Sequence, residues 1–254
     1  MRFASLGSGS AGNALVAEAG DTAVLLDCGF GLKETTMRLA RLGLEASDLS
    51  GILLTHEHDD HAGGTFRFAA RHCLPVFLTH GTLAALGGSP QGIELRIIDS
   101  HTPFAIGDVE VHPYPVPHDA REPVQFVFGD GAYRIGVLTD TGCGTPCIDA
   151  MLTRCDALVL ECNHDIDMLT NGDYPWPLKK RILGRLGHLD NTGAAGILSR
   201  LDNSRLQHII AAHLSQHNNR PDLARHALST ALHCGEDWIG VADQLEGFGW
   251  RQMG

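Results

Sequence analysis

Apolar residues fall along this chain in short runs that stop at polar positions, and their spacing changes from region to region. Residues 1–27 read as three short strands separated by glycine-rich turns, whereas residues 32–42 carry apolar side chains near helical spacing and stop at Gly43. Residues 65–72 and 82–86 predict short helices around a strand at 75–78, and residues 93–139 are mostly strand. Farther on, 157–161 and 208–212 predict strands, while 178–186, 192–201 and 221–232 predict helices. Periodicity alone says mixed α and β, with helices flanking two strand-rich halves.

Length and composition narrow this picture. The 254 residues contain no Ser/Gly/Pro-rich spacer, long charge block or internal repeat, so one domain over residues 1–254 is expected. The first residues run directly into a strand-and-glycine pattern without the apolar segment of a signal peptide, and no run reaches transmembrane length. A soluble, cytoplasmic protein without a membrane partner is the expectation, with its oligomeric state open. Seven scattered cysteines make no disulfide framework, which suits a reducing compartment, and Cys143 and Cys147 are spaced poorly for structural zinc.

The densest chemistry is the run His56-Glu57-His58-Asp59-Asp60-His61, directly after the apolar stretch 51–55. Strand side chains alternate faces, so in an extended or tightly turning segment His56 and His58 point the same way and can converge on one ion. Asp60 and His61 continue round the turn toward a second. Imidazole with carboxylate suits zinc, manganese or iron better than calcium. A polar loop merely rich in histidine is the alternative, but type, order and strand-end position coincide too closely for composition. Glu57 and Asp59 read as solvated acids.

These residues match the signature His-x-His-x-Asp-His, and the chain resembles the metallo-β-lactamase superfamily. The resemblance implies an α/β, four-layer αβ/βα sandwich and more site residues: an acid closing an early strand (Asp27), a lone downstream histidine (His118), a bridging aspartate after a later strand (Asp140) and a late histidine (His213). It further implies two divalent ions, Zn²⁺ or Mn²⁺ with iron possible, held by His56, His58 and His118 on one side and Asp60, His61 and His213 on the other, bridged by Asp140. A metal-bound hydroxide would be the nucleophile, Asp60 its partner, and Asp27 the acceptor that orients a ligand imidazole.

Fold and ions do not decide the substrate. Three stretches, 6–13, 160–191 and 213–219, resemble the YycJ/WalJ-like bacterial branch, described as 5′-to-3′ DNA exonucleases, although Asp190 stands where that branch suggests serine. Glycines 7, 9 and 12 let backbone amides approach a phosphate, and Ser8, Ser10 and Asn13 add neutral donors; a plain tight turn explains the same loop equally well. Glu161 closes a strand and His188 follows a helix. A similar Glu/His couple in related tRNA 3′-processing nucleases protonates the departing 3′ oxygen, so these two are candidate acid-pair residues. A capping or ion-pairing role is the alternative. His164 and His217 have no assigned role.

A formal net charge of −11 argues against tight, nonspecific duplex wrapping. Lys179, Lys180, Arg181 and Arg185 fall on one predicted helix that either steers a nucleic-acid end, most naturally DNA, or is an ordinary solvated face. Tyr174 and Trp176 just upstream fit base stacking or a packed loop. The acidic surface favours a second function, hydrolysis of a lactone, thioester or cyclic phosphodiester; ribonuclease activity is a variant of the first. A third reading, a non-enzymatic metal-sensing or oxygen-binding member, normally appends a flavin-binding domain, and none is expected in this sequence.

Overall fold

The structure, a computed structural model, describes residues 1–88 and 90–254. Six strands lead the chain: β1 (Arg2–Gly7), β2 (Ala14–Ala19), β3 (Thr22–Leu26), β4 (Leu49–Leu53), β5 (Val76–Leu78) and β6 (Leu95–Ile97). A second series follows, β7 (Phe104–Ile106), β8 (Val109–Pro115), β9 (Val124–Gly129), β10 (Arg134–Leu138), β11 (Ala157–Glu161), β12 (His208–Ala212) and β13 (Ile239–Val241). The last strand, β14 (Phe248–Gln252), returns to pair with β1, so each sheet has seven strands.

Both sheets follow one plan. Strands β1 to β3 form an antiparallel meander that continues as the parallel array β3-β4-β5-β6; β7 to β10 likewise run antiparallel into the parallel array β10-β11-β12-β13. Parallel pairs need crossovers, and among the described residues nine α-helices lie outside the sheets or at their ends: α1 (Leu32–Arg41), α2 (Asp59–Ala62), α3 (Thr65–His72), α4 (His80–Ala85), α5 (Pro146–Leu152), α6 (Ile166–Asn171), α7 (Trp176–Ile182), α8 (Asn191–Leu198) and α9 (Pro221–Leu232).

Alternation along each strand sends neighbouring side chains to different cores. Val24, Leu26 and Leu53 meet Phe126, Val137, Val159 and Ile210 between the sheets. Leu25, Ile52 and Leu54 face the other way onto Leu39 of α1 and Phe68 of α3. On the second sheet Leu138, Leu158 and Leu160 pack on Ile148 of α5, Ile197 of α8 and Leu228 of α9. Three apolar seams separate four layers, the αβ/βα sandwich the resemblance implied.

Local departures from the predicted elements have local causes. The helix expected at 82–86 starts at His80 because the Thr79 side chain accepts the Thr82 amide and caps it. The one expected at 178–186 spans Trp176–Ile182 instead, leaving Arg185 outside it. Helices α5 and α6 and strands β13 and β14 were not expected; Thr145 and Asp165 cap the two helices through their side chains. Among the described residues no helix is long and apolar enough to cross a membrane.

Candidate metal centre

Five of the parallel strands deliver polar residues where their apolar runs end, at the carboxyl edge of both sheets. Asp27 follows β3, Thr55 to His61 follow β4, Asp140 follows β10, Glu161 ends β11, and His213 follows β12. Binding at this edge is general for parallel arrays. Three of these residues have left-handed backbone, Asp27 (φ 59°), Asp140 (φ 52°) and His213 (φ 55°), turning the chain sharply so that the side chain aims back over the strand ends. Such conformations cost on the order of 1 kcal/mol or more each and concentrate at functional sites.

Two groups of ligand atoms result. In one, His56 Nε2 lies 3.0 Å from His58 Nδ1, which lies 3.3 Å from His118 Nε2. In the other, Asp60 Oδ2 lies 3.5 Å from His61 Nε2 and 3.4 Å from His213 Nε2. Asp140 stands between them: Oδ2 is 3.0 Å from His61, and Oδ1 is 3.5 Å from His213 and 3.9 Å from His118. The structure therefore gathers all seven side chains expected as ligands.

Outer partners settle which nitrogen of each ring faces inward. Thr55 gives its amide proton to Asp27 Oδ1 at 2.9 Å and its hydroxyl proton to the same carboxylate at 3.0 Å, so Thr55 Oγ1 accepts Nδ1–H of His56 at 2.9 Å. His61 Nδ1–H donates to Asp27 Oδ2 at 2.8 Å, and His118 Nδ1–H to the Gly187 carbonyl at 3.1 Å. In His56 and His118 the Nε2 lone pair is left for the centre, the arrangement metal-binding imidazoles require, and His61 Nε2 faces the same centre with the Asn13 amide 3.0 Å away. Asn163 anchors the remaining ring by donating to the His213 carbonyl at 3.0 Å.

These groups fit divalent cations. His56 Nε2 and His118 Nε2, with their Nδ1–H groups taken by Thr55 and Gly187, both turn lone pairs toward His58 Nδ1, and Asp140 Oδ2, fully buried, has no hydrogen-bond partner among the described residues. A shared cation resolves both contacts. Burial holds the His56 and His118 pKa values below the usual range, keeping the neutral form that ligates. Burial opposes charge on His61 and His213 as well, but the Asp140 carboxylate with Asp27 or Asp60 outweighs it; His61 is raised well above its usual value and His213 to about 10. The second group thus sits in a field that demands positive charge.

Glu161 and His188 lie beside this centre. His188 Nδ1 is 2.8 Å from Glu161 Oε1 and 3.5 Å from Asp140 Oδ1. The other Glu161 oxygen accepts the Thr141 amide at 2.9 Å and the Leu189 amide at 3.3 Å, locking the carboxylate in place. Burial opposes its ionisation, yet His188 prevails and holds the Glu161 pKa at about 2; in return His188 is raised despite its own burial. A cavity of about 360 Å³ opens over the cluster, lined among others by Ser10, Asp59, Tyr174, Arg181 and His188.

The glycine loop does not gather its three polar side chains at the cavity. Ser10 alone lines it, whereas buried Ser8 takes the His213 amide proton at 2.9 Å, and buried Asn13 spans Gly9 and Asp60, its Nδ2 lying 3.0 Å from His61 Nε2. Ser8 and Asn13 thus brace ligand-bearing segments, leaving little of either for a phosphate. The basic stretch also divides. Lys179 is buried and gives its ammonium protons to the Thr170 and Gly172 carbonyls at 2.8 and 2.6 Å, while Arg181 is paired with Asp119. Glu57 is not a free acid either: Oε1 accepts the Arg121 amide at 2.7 Å. Sequence reading missed Thr55, Asn163 and the Gly187 carbonyl; only the position of Thr55, directly before the histidine motif, signalled its role. Buried His164 has neither ring nitrogen paired among the described residues, and His217 packs edge-on against Tyr174.

Two facing mixed sheets with an imidazole–carboxylate cluster across their strand ends define a metallohydrolase of the αβ/βα class. A family profile described as a β-lactamase superfamily domain matches residues 22–209, and the chain belongs to that superfamily as one of its hydrolases. It is 36% identical to Exodeoxyribonuclease YycJ of Bacillus anthracis over 97% of its own length and 94% of that protein. With Exodeoxyribonuclease WalJ of Streptococcus pneumoniae it shares 31% identity over 95% of its length and 91% of the relative. The crystal structure of the metallo-β-lactamase fold protein YhfI from Bacillus subtilis superposes with a TM-score of 0.76 over 99% of each chain, at 17% identity.

Proposed function

We propose that the chain is a 5′-to-3′ exodeoxyribonuclease that uses two divalent cations, Zn²⁺ or Mn²⁺. One ion would be held by His56, His58 and His118, the other by Asp60, His61 and His213, with Asp140 shared between them. Near-full-length similarity to two proteins named exodeoxyribonucleases supports the reading. The observation that carries it is the Glu161–His188 pair at 2.8 Å on the cavity wall beside the cluster. The thiolate of a thioester has little need of a dedicated acid; a 3′ alkoxide leaving a phosphodiester does.

When bound, the cations supply Lewis acidity and lower the pKa of a coordinated water. The chain's own groups do the rest. Asp60 orients and accepts a proton from the attacking water. Glu161 fixes the His188 ring through Nδ1–H, and His188 delivers the proton on Nε2 to the departing 3′ oxygen. The cavity lies within the range of about 300–1,000 Å³ typical of small-ligand pockets, so it accommodates a strand end rather than a wrapped duplex.

Incubation with Mn²⁺ or Zn²⁺ and 5′-labelled single- or double-stranded DNA tests the reading. Mononucleotide release that disappears in His58→Ala is the expected result. Metal-loaded wild type that leaves DNA intact but turns over a lactone, thioester or cyclic phosphodiester would establish the small-molecule function favoured by the aspartates lining the cavity. Preference for an RNA strand would make it a ribonuclease.

A further inference from the structure

We infer that Arg181, held ready by Asp119, grips a phosphate of the substrate strand and positions it over the centre. This rests on the phosphodiester reading above and deepens it by naming the group that holds the strand.

Among the described residues lining the cavity, Arg181 is the one lysine or arginine, facing Asp59, Asp60 and Asp140 on the same wall system. A polyanion entering there meets carboxylates first. Asp60 and Asp140 would be neutralised by the divalent ions they are proposed to hold, leaving Arg181 as the arginine that supplies attraction at the mouth. Its planar fork suits phosphate oxygens.

The arginine is aimed before any ligand arrives. Asp119 takes Nε and Nη2, the latter at 3.1 Å, while Nη1 has no acceptor among the described residues; the side chain is 51% exposed. Asp119 belongs to the same loop as His118, and its amide donates to the Leu186 carbonyl at 3.0 Å. His118 Nδ1–H donates to Gly187, and the His188 amide to the Ile182 carbonyl at 3.0 Å. Gly142 lets this bracket close, because a Cβ there would stand 2.3 Å from the Arg185 carbonyl carbon. One short segment therefore registers Arg181 against both His118 and His188. A surface lysine would not be held this way.

The test uses full-length, metal-loaded protein with two readouts, kinetics on 5′-labelled oligonucleotides and calorimetric binding of deoxythymidine 3′,5′-bisphosphate. Arg181→Met should raise KM and the bisphosphate Kd about tenfold or more, with kcat changed far less and the melting temperature retained, as loss of a charge-assisted contact predicts. The slope of log KM against log salt should flatten by about 0.7–0.9, the share of one phosphate contact. Arg181→Lys should fall between wild type and Arg181→Met, and Asp119→Asn should raise KM less than Arg181→Met. Unchanged KM, Kd and salt slope in a folded Arg181→Met protein would overturn the inference. If wild type releases no nucleotide, the nuclease reading fails, and the bisphosphate Kd decides Arg181 separately.

Discussion

On the first sheet a single turn after β4 delivers His56, His58, Asp60 and His61, whereas on the second sheet Asp140, Glu161 and His213 arrive one from each of three neighbouring parallel strands. In the turn, backbone geometry over six residues sets the spacing, assisted by α2 within the motif itself. On the other side, register does it. Leu138 pairs with Leu160 and Glu161 with Ala212, so Asp140, Glu161 and His213 come within one residue of the same height at adjacent strand ends, strands being about 4.8 Å apart. One half is encoded locally. The other exists only once β10, β11 and β12 are paired and sealed beneath α5, α8 and α9.

The largest break in this comparison should come from the residue joining the halves. Asp140→Asn is expected to cost more than about a thousandfold in turnover, roughly 4 kcal/mol of barrier, and to lower occupancy of both ion sites by elemental analysis. His58→Ala should deplete chiefly one. Two ions retained per chain in Asp140→Asn would show that each ligand trio, drawn from both sheets, holds its ion without the shared carboxylate.

Next in size is His188→Ala, which should slow phosphodiester cleavage about 10²–10⁴-fold while metal content stays at the wild-type level. Hydrolysis of an activated aryl ester should fall much less, since its leaving group needs no acid. Equal loss on both substrates would remove His188 as proton donor.

Stability separates the dispersed half from the sheet edge. Gly142→Ala forces a Cβ against backbone of the Arg185 loop and should destabilise by about 1–3 kcal/mol or more, read from the urea midpoint. Gly249→Ala in β14, with nothing within 4 Å of its added Cβ, should be neutral. A neutral Gly142→Ala would mean that the bracket carrying His188 is pliable.

The smallest effect concerns two thiols, each one residue beyond a site acid: Cys28 after Asp27 and Cys162 after Glu161. Burial pushes Cys28 up to about 12 and Cys162 up as well. Because thiolate is the reactive form, raised values mean almost fully protonated thiols at pH 8, with alkylation still climbing as pH rises and no plateau below about pH 12 for Cys28. Iodoacetamide at pH 8 should label exposed Cys73 and spare both until denaturant is added, followed by mass spectrometry. Cys162 labelled at the rate of Cys73 would show that the register-built half opens in solution.

How much was legible follows the same division. The motif at 56–61 announced ion ligation because its residues are neighbours in the chain, and strands 157–161 and 208–212 were readable because both faces of each are apolar. Asp27, His118, Asp140 and His213 were reached only through resemblance, since an isolated acid or imidazole at a strand end carries no signal of its partners. Ser8 and Asn13 looked like phosphate donors, and folding turned them inward to brace His213 and Asp60. Lys179 looked like a surface cation, and packing spent its charge on two carbonyls.

The sequence by itself determined the alternation of apolar strands, the contiguous ligand turn and the acidic balance, because these depend on neighbours within a few residues. Tertiary structure decided which nitrogen of each imidazole faces inward, the 2.8 Å coupling of Glu161 to His188 and the latching of Arg181 by Asp119. Apart from the Thr55 contact of His56, those depend on atoms 27 to 69 positions apart, which only strand register and close backbone approach bring into contact.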